Sequence, residues 1–137
     1  MKISEVMTRD VKTARPEQTL QDVAKMMASV DSGAILVHDD DRLVGMITDR
    51  DIVIRAVANG ENCDLPISRV MSNDIRYCYD DQDVNEVARN MADIQLRRLP
   101  VVNRQKRLVG VVSLGNIAKA HDVKADSTVL QGVAQAH

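Results

Sequence analysis

Two seven-residue stretches carry the residue types best suited to chemistry: Gly45-Met46-Ile47-Thr48-Asp49-Arg50-Asp51 and Gly110-Val111-Val112-Ser113-Leu114-Gly115-Asn116. Each sets a hydroxyl behind an apolar run and a carboxylate or amide three residues later. That spacing is first of all a helix start. Thr48 or Ser113 would cap the helix, and Asp51 would fall in the first turn, where the helix dipole favours an acid. The same pair facing a cleft also suits the two adjacent hydroxyls of a ribose. The free amides of the helix start, with a nearby base such as Arg50, suit a phosphate. Patterns this short, taken alone, favour the cap.

Other constellations are poorer. His38-Asp39-Asp40-Asp41 falls where a hairpin turn is expected, and turns favour Asp for local reasons. The matching turn, Asn103-Arg104-Gln105-Lys106-Arg107, is basic where the first is acidic. Cys63 and Cys78 have no CxxC partner and no His at ligand spacing, which predicts two free thiols and no metal site. No Ser–His–acid or Cys–His pairing is suggested by position. The Asp49/Asp51 pair is better explained by the helix start than by acid–base catalysis. The expectation is therefore a protein that is not an enzyme.

The elements that must position these residues occur twice. Ile3-Ser4-Glu5-Val6-Met7 reappears 64 residues later as Ile67-Ser68-Arg69-Val70-Met71. Leu20, Val23, Ala24 and Met27 reappear at the same interval as Val84, Val87, Ala88 and Met91. Leu43-Val44-Gly45 and Ile52 match Leu108-Val109-Gly110 and Ile117 at 65, which implies one inserted residue, read here as lying near Leu96. Each copy reads as a short strand (residues 11–13 and 75–78), then a helix opened by Thr19 or Asp83 with an acid three residues on. Leu20, Val23, Ala24, Met27 and Val30 share one face of the first helix. Two strands around a polar turn follow (34–37 and 43–47; 99–102 and 107–112), and then a second helix from Asp49 or Leu114. The first of these second helices should end at Asn59-Gly60, with a left-handed glycine. Met26, Met27 and Met91 read as core filling.

The fold class is thus α+β: two βαββα repeats packed through their sheets as a pseudo-twofold pair, which creates two clefts. Residues 1–61 form repeat 1, 62–66 a linker, 67–123 repeat 2 and 124–137 a polar C-terminal tail with an apolar patch at Val129, Leu130 and Val133. A half of about 60 residues buries too little apolar surface to be comfortable alone. Of the 137 residues, 45% are hydrophobic and 28% charged, with no Trp or Phe and only Tyr77 and Tyr79, so the core must be aliphatic. A net charge of −2 gives no electrostatic reason for nucleic acid or membrane binding. Apolar runs of about five residues fall far short of the ~20 needed to span a bilayer. The first residues reach Glu5 before any apolar signal segment can form, so the expected compartment is the cytoplasm.

The order of elements, the duplication and the G-h-h-T/S-x-x-D turn (h apolar) resemble a tandem pair of CBS domains, named for cystathionine β-synthase, over roughly residues 3–122. The stretch from Gly45 to Ile52 is similar to that of stand-alone bacterial members. The resemblance implies a regulatory, energy-sensing homodimer that binds adenosine-containing ligands (AMP, ADP, ATP or S-adenosylmethionine), with no required cofactor, and acts on an effector protein not named by the sequence. It implies Thr48 and Asp51 as hydroxyl and ribose acid in one cleft, and Ser113 and Asn116 in the other, where Asn replaces the family's Asp. Arg97 and Arg98 match a basic-basic-h-P-V pattern that reaches phosphates. Ser32 and Gly33, taken as their counterparts, carry no charge and leave room for an adenine or a close backbone contact. Arg50 is a further phosphate candidate. Met46, Val111 and the segments after Met7 and Met71 would line the base pocket. The alternative is a ligand-free dimerisation scaffold.

Overall fold

The computed structural model describes residues 1–127, with side chains through His121. The patch at Val129, Leu130 and Val133 lies outside the described residues. The chain is α+β, with two three-stranded sheets. The first contains β1 (Thr13–Ala14), β2 (Ala34–Asp39) and β3 (Arg42–Thr48), in that order. β1 runs parallel to β2, and β2 antiparallel to β3 with Ala34 opposite Thr48 and Leu36 opposite Met46. The second contains β4 (Cys78–Tyr79), β5 (Arg98–Val102) and β6 (Leu108–Ser113), with β4 parallel to β5.

Local chemistry sets the helices. α1 (Leu20–Val30) begins at Thr19, whose hydroxyl accepts from the Asp22 amide at 3.1 Å while Asp22 Oδ2 accepts from the Thr19 amide at 3.2 Å. α3 (Val84–Asp93) has a one-sided cap: Asp83 accepts from the amides of Asn85 and Glu86, and Glu86 takes its own bond from Gln82 Nε2. Leu20, Val23 and Met27 are buried on α1, and Val84, Val87 and Met91 on α3, as the spacing predicts, whereas Ala24 and Val30, placed on the same face of α1, are exposed. Met26 is partly buried against the first core. The second helical stretch of the first repeat is irregular. It opens as α2 (Asp49–Asp51), widens to a π turn over Ile52–Ala56, tightens to a 3-10 turn over Val57–Asn59 and stops at left-handed Gly60. Its counterpart α4 (Leu114–Ser127) is a regular α-helix.

The compact units do not follow the repeats. One contains Val11–Arg76 with Lys106–Leu108; the other contains Met1–Asp10, Tyr77–Gln105 and the described residues from Val109 on. Each repeat's leading segment thus sits in the unit built by the other. Ile67 and Val70 are buried with Leu20, Val23, Met27, Ile35, Val37 and Ile47. Ile3 is fully buried with Val84, Val87, Met91, Leu99, Val101 and Val112. Removing an Ile side chain of this kind from water is worth about 1.5–3 kcal/mol, so each exchanged segment is a structural component of its host. Glycine records how closely it approaches. A Cβ on Gly110 would meet the Thr8 carbonyl oxygen at 2.6 Å and Met7 Sδ at 2.9 Å; on Gly45 it would meet the Ser72 carbonyl oxygen and Met71 Sδ, both at 2.9 Å. The linker is also engaged: the amides of Leu20 and Gln21 donate to the carbonyls of Leu65 and Cys63 at 3.0 Å.

The equivalent cores also relocate the inserted residue. Ile35 matches Leu99 and Val37 matches Val101, still 64 apart, whereas Ile47 and Val112 are 65 apart. The left-handed residues that end the two first helices, Asp31 and Gln95, are likewise 64 apart. The extra residue therefore lies in the second hairpin's turn and not near Leu96. The first turn is tight, with Asp40 and Asp41 both at positive φ between β2 and β3, as a two-residue reversal requires. The second, from Asn103 to Arg107, is longer. The charge difference between the turns is used within one unit: Arg107 pairs with Asp41 at 3.1 Å, and the Leu108 amide donates to the Asp41 carbonyl at 2.9 Å. Both cysteines are free, Cys63 exposed and Cys78 buried. Burial pushes the Cys78 thiol up to about 12, with Asp80 adding to the effect.

Candidate ligand-binding site

Both G-h-h-T/S-x-x-D/N turns close as reciprocal caps. Thr48 Oγ1 accepts from the Asp51 amide at 3.1 Å, and Asp51 Oδ2 accepts from the Thr48 amide at 3.0 Å. Ser113 Oγ accepts from the Asn116 amide at 3.0 Å, and Asn116 Oδ1 accepts from the Ser113 amide at 2.9 Å. The cap reading is thus realised in full, and all four residues are partly buried. What each cap leaves over differs. Asp51 keeps a second carboxylate oxygen, an acceptor for donors such as sugar hydroxyls. Asn116 keeps an NH2 group, a donor. The two sites share a backbone geometry and present opposite hydrogen-bonding polarity.

Each motif is seated beside the other repeat's leading segment. Met46 and Ser72 exchange both backbone hydrogen bonds, at 2.9 and 2.8 Å, as do Val111 and Thr8, at 2.9 and 2.8 Å. The structure thereby brings Met46 together with the segment after Met71, and Val111 together with the segment after Met7. Within one unit lie Ser32, Gly33, Met46, Thr48, Arg50 and Asp51; within the other lie Arg97, Arg98, Val111, Ser113 and Asn116.

Three details of the sequence reading change. The Asp49 amide donates to the Gly33 carbonyl, and the Leu114 amide to the Arg97 carbonyl, both at 2.9 Å. Gly33 therefore corresponds to Arg97, and Arg98 to Ala34, one residue away from the pairing with Ser32-Gly33. This follows from the insertion falling in the later turn. The space above Gly33 is taken by the Asp49 carboxylate, whose Oδ2 lies 2.8 Å from where a Cβ would stand. A hollow of about 290 Å3 beside it is lined by Met27, Ala28, Asp31, Ser32, Gly33 and Asp49. Finally, the base beside Asp51 is not Arg50 but Arg55, whose Nε lies 3.9 Å from Asp51 Oδ1 and whose Nη1 donates to the Val70 carbonyl at 3.3 Å. Sequence reasoning missed Arg55. The signal was there, since an acid followed four residues later by a base shares one helical face.

Arg97 and Arg98 are exposed, and neither side chain has a hydrogen-bond or ion-pair partner among the described residues. Arg104, by contrast, is committed: it makes a bidentate pair with Asp81 at 2.7 and 2.8 Å and lies 4.0 Å over the Tyr79 ring. That guanidinium holds the Asp81 carboxyl below its usual range. No group of three or more His, Cys, Asp or Glu able to hold a metal ion occurs among the described residues. No helix among them is long and apolar enough to cross a membrane.

This duplicated arrangement has relatives. The chain is 40% identical over 116 residues to the CBS domain-containing protein YhcV of Bacillus subtilis, covering 85% of this chain and 82% of that one. Hypoxic response protein 1 of Mycobacterium tuberculosis is 36% identical over 117 residues, covering 84% and 81%. A crystal structure of Hypoxic Response Protein I with two coordinated zinc ions superposes with a TM-score of 0.77 at 34% identity, over 88% of this chain and 98% of that one. At lower identity the fold alone is shared. CBSX2 in complex with AMP gives a TM-score of 0.78 at 21% identity, over 90% and 98% of the two chains. The CBS domain pair of protein MJ0100, in complex with 5-methylthioadenosine and S-adenosyl-L-methionine, gives 0.73 at 24%, over 91% and 98%. The family model described as CBS domain matches residues 3–57 and again 67–122, once for each repeat that the core positions define. With both halves matched and close relatives aligned along most of its length, the chain belongs to the CBS domain family.

Proposed function

We propose that this chain is a regulatory module that binds adenosine-containing ligands such as AMP, ADP, ATP or S-adenosylmethionine. It acts in the cytoplasm as a homodimer, on an effector protein, without catalysis of its own. The observation that carries the reading is Asp51. Its Oδ2 is spent on the Thr48 amide and its Oδ1 lies outside the cap, so a carboxylate oxygen of fixed orientation remains to accept from ribose hydroxyls. Support comes from family members of the same fold whose structures hold AMP, or methylthioadenosine and S-adenosylmethionine. Arg97 and Arg98, exposed and without partners among the described residues, are assigned to phosphate; Met46 and Val111 to the base. Ser113 and Asn116 form a second, weaker site, because an amide NH2 cannot accept from a hydroxyl. The domain division proposed is repeat 1 over residues 1–61, a linker over 62–66, repeat 2 over 67–123 and a tail over 124–137.

Isothermal titration with AMP, ATP and S-adenosylmethionine tests the assignment. Asp51→Ala should weaken binding at least tenfold, the scale of about 1.4 kcal/mol for a lost charge-assisted hydrogen bond. Asn116→Ala should change it far less. Equal losses would refute the ranking of the sites, and no heat at millimolar ligand would refute the function.

A second reading, a ligand-free dimerisation scaffold, is favoured by the mutual engagement of Thr48 and Asp51 in the cap, and it shares its dimer surface with the first. Val53, Ile54 and Val57 are 55%, 51% and 64% exposed on the irregular helix, an apolar face that a second copy would cover. Sedimentation of Val57→Glu decides whether that face joins copies, and the titration decides whether ligand is involved.

A further inference from the structure

The base four residues after Asp51 has no counterpart four residues after Asn116, where the neighbouring base is Lys119, three residues on. Arg55 lies four residues after Asp51; the equivalent residue, four after Asn116, is Ala120. The two positions differ together, and the caps explain why. With Asp51 Oδ2 fixed by the Thr48 amide, Oδ1 is the oxygen left for Arg55, 3.9 Å away. With Asn116 Oδ1 fixed by the Ser113 amide, the free atom is a donor. A guanidinium at residue 120 would then face another N–H group and gain nothing. In this chain the carboxylate stands with a base four residues on, and the amide with a small neutral residue.

Arg55 is held from a second side by the Val70 carbonyl at 3.3 Å, at the end of the exchanged segment that contributes Ile67 and Val70 to this core. Asp51 is the more enclosed partner, with its side chain 18% exposed against 54% for Arg55. One carboxylate oxygen is thus hydrogen-bonded by the cap, and the other lies at ion-pair distance from a base that is itself anchored, while keeping lone pairs for a further donor.

We infer that Arg55 is a positioning residue for ligand binding: it fixes the rotamer of the Asp51 carboxylate and does not itself touch phosphate. The inference rests on the proposed ribose role of Asp51. It makes the ligand-binding strength of this unit depend on the packing of the segment around Val70, and it gives the Asn116 site no such dependence.

The test compares adenosine with AMP. Both are titrated calorimetrically into the full chain and into Arg55→Ala, Arg55→Lys, Asp51→Asn and Asp51→Asn/Arg55→Ala. Arg55→Ala is expected to weaken adenosine and AMP by the same factor, roughly three- to tenfold, as befits one partly exposed pair. Lys should restore part of the loss, and the double variant should bind no worse than Asp51→Asn alone. A loss confined to AMP would make Arg55 a phosphate ligand and overturn the inference. So would losses that add in the double variant, or binding unchanged in Arg55→Ala. Wild-type protein that binds neither compound overturns the ribose reading itself, and this inference with it. Should Arg55→Ala fail to fold, the gain variant carries the test: Asn116→Asp/Ala120→Arg must bind adenosine more tightly than Asn116→Asp, and equal affinity overturns the inference.

Discussion

Replacing Ile3 by alanine should open the core built by the second repeat and leave the core built by the first repeat closed. Ile3 is fully buried among Val84, Val87, Met91, Leu99, Val101 and Val112, and Cys78 belongs to the same cluster. Truncating a buried Ile to Ala costs about 2–5 kcal/mol, part lost transfer energy and part cavity. Taking about 3 kcal/mol, at about 1.4 kcal/mol per tenfold, the open population rises roughly a hundredfold. Cys78 reports it directly, because a buried thiol raised to about 12 reacts with a disulfide reagent only from opened molecules. The assay is the labelling rate of Cys78 in a Cys63→Ser background, which removes the exposed thiol. Ile3→Ala should speed labelling about a hundredfold, and Ile67→Ala, which empties the other cluster, much less. If Ile67→Ala accelerates Cys78 more than Ile3→Ala does, each leading segment serves its own repeat and the exchange is wrong.

Other consequences are as direct. Gly110→Ala should destabilise by about 1–3 kcal/mol, because its Cβ would press on a backbone oxygen that no rotamer can clear. Gly115→Ala, whose nearest neighbour is Ser113 Oγ at 3.5 Å, should be close to neutral or mildly stabilising; thermal unfolding of the pair decides. Thr19→Ala removes a reciprocal cap and should cost about 1 kcal/mol in urea denaturation, with Thr19→Ser restoring most of it. Cys78 also gives an alkaline signature. Its folded value lies above its unfolded one, so its contribution is complete below about pH 9 and is lost as pH rises towards about 12. Cys78→Ala should flatten the stability profile over that range, and an unchanged slope would place the effect elsewhere.

What the sequence makes legible here is what local spacing determines. The Leu20-Val23-Met27 face, the Thr19 cap, the Thr48–Asp51 cap and the Ser113–Asn116 cap depend on intervals of three and four residues, and the duplication on an interval of 64 or 65; all stand where those intervals put them. Choices between equivalent partners are not legible. Ile3 and Ile67 head matching segments, so either could enter either core; only chain connectivity and packing choose, and they choose the exchange. The position of the inserted residue was hidden because Ala34–Val37 in β2 and Leu99–Val102 in β5 are each an unbroken apolar run, and a slip of one residue costs the pattern little. Arg55 escaped notice because the stretch it occupies reads as an ordinary helix, while the nearer Arg50 offered itself first. Its spacing of four from Asp51 is the interval that places an acid and a base side by side on a helix.

The exchanged segments also bear on inheritance. A gene carrying one repeat alone would encode a leading segment with no core to enter except that of another copy. Two such chains, each lending its opening residues to the other, would make every contact that Ile3 and Ile67 make here without any fusion. Joining the two genes would then alter which contacts are covalently linked and nothing about the contacts themselves. Once joined, the halves would be free to differ in their sites, as Asp51 with Arg55 and Asn116 with Ala120 differ here. The cores have less freedom, because each is shared between a leading segment of one repeat and the body of the other, and a change in either must suit both.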